Sequence, residues 1–405
     1  MNVRRSAALL AAVAVIGAAA PAAADSSPSP SRAPLPSALY GDGDPQYDGV
    51  WRQSLALLAQ HTVDVEPPKA AVDWLAGQQC ADGSFAPYRA DTAKACDTKT
   101  MVDTNQTAAA VQALAALGGH DDVTKKAVGW LKSVQNEDGG WGYTAGGASD
   151  TNSTSVVIGA LAAAGEKPAG VKKDGKSPYD ALLKLELPCE GDGAGAFAFQ
   201  PDKKGKLVAN ADATAAGVLG SLGVGLAAEP GKGTGADAAC EKADSPEQAA
   251  ANGAAYLTGA LAEDGHLVSA LPGSEDQPDY GNTADAVVAL AAQGATEQAG
   301  TSLAWLEKNA ADWATQGGPA AYAQLIFAAH ATGADPRAFG GTDLVKQLTA
   351  TGPSAPEKAA GTKEEKEEKK DESDSGLGVW WFVGVCLVAG IGIGFLISGR
   401  RKRQP

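Results

Sequence analysis

The sequence predicts an all-α protein: an α/α toroid of helical hairpin repeats, with a signal peptide before it and one C-terminal transmembrane helix after it. Three observations predict this. A tryptophan-bearing segment recurs along the middle of the chain, a nearly all-apolar segment follows each copy, and both ends carry apolar runs beside basic residues. The 405 residues are 44% hydrophobic and 20% charged, a balance that supports a folded core. The formal charge is −15, and all 48 acidic residues lie between the basic groups at the two extreme ends. Such a surface repels phosphate backbones, so no nucleic-acid partner is expected.

The ends read as addresses. Residues 1–24 form a secretory signal peptide: Arg4 and Arg5, an apolar run from Ala7 to Ala20, and Ala22-Ala23-Ala24 before Asp25. A Ser/Pro-rich linker covers 25–45 and a charged stalk covers 351–375. Gly376 to Gly399 holds no charged residue and is long enough to cross a bilayer as a helix. Trp380-Trp381 suits one membrane interface, and the basic tail 400–405 marks the other as cytoplasmic. The expected placement is single-pass, with the N-terminus outside. Leu348 to Gly352 is a poor match to a sortase signal and lies far from the apolar span, so a retained anchor is expected.

The repeat domain is placed at 46–350. Its outer helices carry Trp74-Leu75, Trp130-Leu131 and Trp305-Leu306, with Tyr256-Leu257 and residues 179–185 as weaker copies. Sharp turns follow at Asp82-Gly83, Asp138-Gly139, Asp192-Gly193 and Asp264-Gly265. A polar knot then opens each inner helix. These helices are expected from Thr107 to Leu117, Thr154 to Ala164, Thr214 to Leu222, Ala284 to Ala292 and, without a knot, Ala320 to Thr332, each with a glycine just beyond its end. Being apolar on nearly every face, they must be buried all round. Five hairpins, or six if Asp48 to Gln60 adds a half, are expected to close into a ring; an open solenoid is the alternative.

Gln135-Asn136-Glu137-Asp138-Gly139-Gly140-Trp141 resembles the Gln/Trp turn of the prenyltransferase and squalene-cyclase repeat family. The resemblance covers residues 67–335 and implies an α/α toroid. It also implies that Gln135 with Trp141, and Gln79 with Phe85, brace the turns between outer and inner helices. The family's catalytic groups do not carry over. The Asp-x-Asp-Asp motif of terpenoid cyclases is absent, and so is the Asp, Cys and His set that binds zinc in protein prenyltransferases. No catalytic residue, metal or cofactor is therefore expected. The vitamin-carrier toroids, which hold cobalamin against a small β domain, are a further resemblance, but nothing strand-like follows Gly340.

The expected ligand site is the mouth where the inner helices begin, lined by Asp103, Asn105, Thr107, Asp150, Asn152, Thr154, Asn210, Asp212, Thr214, Asn282 and Asp285. Converging helix N-termini favour an anionic or hydroxyl-rich ligand there. Each of these residue types is also a good N-cap, so capping competes with binding at every position. Four cysteines, Cys80, Cys96, Cys189 and Cys240, allow three pairings, of which 80–96 with 189–240 is the local one. His61, His120, His266 and His330 share no motif. The function these readings support is a monomeric surface binding protein for a small molecule or a surface protein. A cyclase-like or lyase-type enzyme is the first alternative, and a cobalamin-carrier-like uptake component the second.

Overall fold

The computed structural model describes residues 35–233, 239–269 and 276–353. Among them are twelve α-helices: α1 (Pro45–Thr62), α2 (Lys69–Gly77), α3 (Thr104–Leu117), α4 (Asp121–Ser133), α5 (Thr151–Ala163), α6 (Pro178–Leu185), α7 (Ala211–Leu222), α8 (Pro246–Leu261), α9 (Tyr280–Gln293), α10 (Thr296–Asn309), α11 (Ala311–Thr332) and α12 (Leu344–Ala350). Two short antiparallel strands, β1 (Val268–Ser269) and β2 (Gln277–Pro278), precede α9.

Odd-numbered helices are inner and even-numbered ones outer. In α3 every residue from Thr104 to Leu114 is buried, whereas α4 buries only a stripe at Thr124, Ala127, Val128, Trp130 and Leu131. Alanine dominates the inner helices because it combines high helix propensity with a small side chain, which lets neighbouring helices approach closely. Inner helices α7, α9 and α11 stop where glycine supplies a left-handed residue, at Gly223 (φ 71°), Gly294 (φ 89°) and Gly333 (φ 75°). The long α11 breaks at Gly318 (φ 65°) before Pro319, so its inner part begins near the expected Ala320.

The ring closes. Each inner helix packs on the next, and α11 packs back on α1. The expected half-repeat is thus a complete sixth inner helix, partnered by α2, while α12 backs α11. Closure is fastened where the two ends of the described chain meet. The Gly41 N–H donates to the Thr351 carbonyl at 2.8 Å, and the Tyr40 hydroxyl donates to Gln60 Oε1 at 2.7 Å. Gln60 Nε2 in turn reaches Thr349 Oγ1 at 3.2 Å. Tyr40 is fully buried, so the folded part starts at Pro36, inside the stretch assigned to the linker.

The turn braces form as the repeat implied. Gln79 Nε2 donates to the carbonyls of Gly83 (3.1 Å) and Val123 (2.8 Å), and Gln135 Nε2 donates to Gly139 (2.7 Å) and Val171 (3.4 Å). Trp141, fully buried, donates its indole N–H to the Leu131 carbonyl at 2.7 Å. Each Gln thus joins a turn to the segment that starts the next outer layer. Both expected disulfides are present, Cys80–Cys96 and Cys189–Cys240, with sequence separations of 16 and 51. Chain-entropy arguments give them roughly 3 and 4 kcal/mol. Two such bonds fit an oxidising compartment.

No helix among the described residues is long and apolar enough to cross a membrane. The signal peptide at 1–24, the transmembrane helix at 376–399 and the tail at 400–405 lie outside the described residues, as do most of the linker and stalk.

Candidate functional site

The mouth where the inner helices begin sorts its residues by position in the first helical turn. Asp103, Asp150 and Asn210 are N-caps, accepting the backbone N–H of Gln106 (2.7 Å), Ser153 (2.6 Å) and Ala213 (2.7 Å). Four residues further on stand Thr107, Thr154 and Thr214. These are fully buried, and their hydroxyls accept the N–H of Phe85 (3.0 Å), Trp141 (3.0 Å) and Phe197 (2.9 Å). Thr283 does the same for Leu267 at 3.0 Å. These threonines staple the preceding turn to the inner helix, and their hydroxyls are spent on the fold.

The residues two places after the cap have a different fate. Asn105, Asn152 and Asp212 occupy this position in α3, α5 and α7. Asn152 Nδ2 donates to Asp212 Oδ2 at 2.9 Å, linking neighbouring inner helices across the mouth. Gly281 holds the equivalent place in α9, next to Trp313 and Gln324. Gln324 Nε2 lies 3.2 Å from both carboxyl oxygens of Asp285. Asp285 on α9 thus meets Gln324 of α11 while also feeling the Asp212 charge of α7. Asn282 turns back onto Asp279, at 2.8 Å, and contributes little to the mouth.

Several polar atoms here are buried without a partner: Asn105 Oδ1, Asn152 Oδ1 and Asp150 Oδ2. Leaving such an acceptor unmet costs about 1–3 kcal/mol, so each is primed for a donor. The carboxyls are also displaced from their ordinary range. Burial pushes Asp285 up to about 7, reinforced by the Asp212 carboxylate. Burial likewise raises Asp212 to about 6, against the stabilising Asn152 bond. Asp103 rises to about 7 and Asp150 to about 6, again chiefly through burial. Asp103, Asp150, Asp212 and Asp279 set acidic side chains against the positive ends of α3, α5, α7 and α9.

Sequence reasoning passed over Asp279, the N-cap of α9, which accepts from Asn282 N–H at 3.1 Å. The signal was available: Asp103/Thr107, Asp150/Thr154 and Asn210/Thr214 share a spacing of four, and Asp279/Thr283 repeats it. Also unanticipated is a row of aromatic rings beside this mouth. His266 stacks on Trp305 at 4.1 Å, Trp305 on Tyr280 at 5.2 Å and Tyr280 on Trp313 at 5.8 Å. At the other end of the ring, where the inner helices finish, a separate cavity of about 1100 Å³ opens. Among the described residues no group of three or more His, Cys, Asp or Glu is placed to hold a metal ion.

The family-model comparison agrees with a toroid. Residues 51–177 match the family model described as the prenyltransferase alpha-alpha toroid domain. Over 102 residues the chain is 34% identical to a squalene–hopene cyclase of Zymomonas mobilis, a match spanning 24% of this chain and only 14% of the cyclase. Among solved structures, an ent-copalyl diphosphate synthase from Streptomyces platensis aligns over 70% of this chain and 50% of its own, at 16% identity and a TM-score of 0.46. A protein from Actinoplanes aligns over 73% of this chain and 93% of its own, at 16% identity and a TM-score of 0.47. Over residues 51–177 the chain is thus similar to the prenyltransferase alpha-alpha toroid family, and it spans only a small part of the length of the curated relative it matches.

Proposed function

We propose that the protein is an exported, membrane-anchored binding protein that holds a hydroxyl-rich small molecule at the mouth where its inner helices begin. One observation carries the reading. Asn152 and Asp212, neither of them a cap, reach across from adjacent helices to each other, beside buried acceptors with no partner. A fold needs the caps and the threonine staples; it does not need this pair. Hydroxyl groups offer the donors that Asn105, Asn152 and Asp150 lack, and half-buried Tyr280 and Trp313 supply an apolar wall of the kind ligand sites use. Export is supported by the two disulfides and by the pattern of residues 1–24, and anchoring by the charge-free run from Gly376 to Gly399.

A pair of variants separates site from scaffold. Asn152→Ala with Asp212→Ala is expected to abolish ligand retention without loss of thermal stability. Asp150→Ala should instead cost about 1 kcal/mol of stability through the lost cap. Retention in the double variant, measured by titration calorimetry, would remove the site from this mouth.

A second reading, an acid-initiated cyclase, is favoured by one feature: Asp285 and Asp103 keep their protons to about 7, as a carboxylic acid catalyst must. Conversion of an isoprenoid substrate that is lost in Asp285→Asn, followed by product chromatography, would support it over the binder.

A further inference from the structure

We propose that the cavity at the opposite mouth is a second ligand site, built for an apolar molecule with one hydrogen-bond-donating head, an amine or a hydroxyl. The cavity, about 1100 Å³, is of the size that holds a whole small molecule. Its floor is apolar and made of small side chains, with Leu58, Ala116, Ala162, Ala163, Leu222 and Ala292 coming from five of the six inner helices. Alanine rather than leucine at most of these points is what leaves the space open.

A strap of chain, residues 224–233, forms one wall. It is held at three places. The Leu226 N–H donates to Gln112 Oε1 at 2.9 Å, the Gly231 N–H donates to the Ala291 carbonyl at 2.9 Å, and Glu229 pairs with His330 Nε2 at 2.9 Å. The strap passes so close to α9 that a Cβ on Gly231 would stand 1.7 Å from the Ala292 carbonyl oxygen. The wall is therefore fixed in place.

Gln112, Gln248 and Gln293 line this cavity, and the contrast between Gln112 and Gln293 names the ligand's head. Gln112 is fully paired: its Oε1 takes the strap N–H and its Nε2 donates to the Val156 carbonyl at 3.0 Å. Gln293, 5% exposed, has an Oε1 with no donor. An N–H meets the first acceptor, so a ligand N–H or O–H is what the second one lacks. The C-terminal ends of the inner helices, which carry partial negative charge, gather at this mouth and disfavour a carboxylate head in the same position.

The test is calorimetric titration of the purified full-length protein with octan-1-ol, octylamine and octanoate. The alcohol and amine are expected to bind, and octanoate to bind at least about tenfold more weakly. Binding of only the alcohol or only the amine would support the site and identify the head. Gln293→Leu should weaken the two donors about tenfold and erase their advantage over octanoate. Ala163→Trp, at an exposed position of the floor, should block all three without unfolding the domain. If neither donor binds, or if binding survives Ala163→Trp, the proposal is overturned.

Discussion

Gly139→Ala is expected to destabilise the domain by about 4 kcal/mol, combining a left-handed backbone penalty with steric overlap. Gly139 sits at φ 94°, and a Cβ there would stand 2.2 Å from the Ser177 carbonyl oxygen. That carbonyl belongs to the N-cap of α6, so the turn cannot move without displacing the next outer helix. Gly83 repeats the arrangement against Lys126, again at 2.2 Å. The control is Gly165→Ala, at φ 76° with nothing within 4 Å of the added carbon, which should cost only about 1–2 kcal/mol. Chemical denaturation of the two variants measures the difference. Equal costs would mean that the turn-to-helix contact is not what requires glycine.

Raising the pH from 5 to 8 is expected to reduce stability, by something on the order of 4 kcal/mol once coupling between the groups is allowed for. Asp103 and Asp285 hold protons in the folded state to about 7, and Asp150 and Asp212 to about 6. The unfolded chain releases them near 4. Between those limits the folded protein binds more protons, so stability must fall as the pH rises. Asp180 works the other way, because its Ser177 hydrogen bonds lower it, but its contribution is lost only below the ordinary carboxylate range. Maximum stability is therefore expected near pH 4–5. Asp285→Asn should flatten the upper part of the profile and stabilise the protein at pH 8. A stability that is constant or rising from pH 5 to 8 would show that these carboxyls are not held protonated.

Much of the ring was legible because its instructions are local. The Asp-Gly turns, the terminal glycines and the apolar inner stretches all act within a few residues of themselves, and both disulfides join the nearest cysteines. Ring closure was harder to read. It depends on Tyr40 meeting Gln60, and Gly41 meeting Thr351, a contact spanning most of the chain with no local mark. Helix α1 carries no polar knot, and this concealed it as a full repeat. At the site, the Asp-Thr-Asn pattern correctly drew attention to the inner-helix starts. It could not divide caps from the rest, since Asp103 and Asp212 differ in helix position and not in chemistry. Trp313 and Gln324 stand on either side of the break at Gly318 in α11, which no periodicity announces. The second cavity depends on where the 224–233 strap runs, which no periodicity encodes.

Native mass spectrometry of the protein purified from its own host tests the central claim most directly. A retained small molecule is expected, rich in hydroxyl groups and lost when Asn152 and Asp212 are both replaced by alanine. An empty protein that also gains no thermal stability from oligosaccharides or other polyhydroxylated compounds would contradict a binding role for the mouth where the inner helices begin.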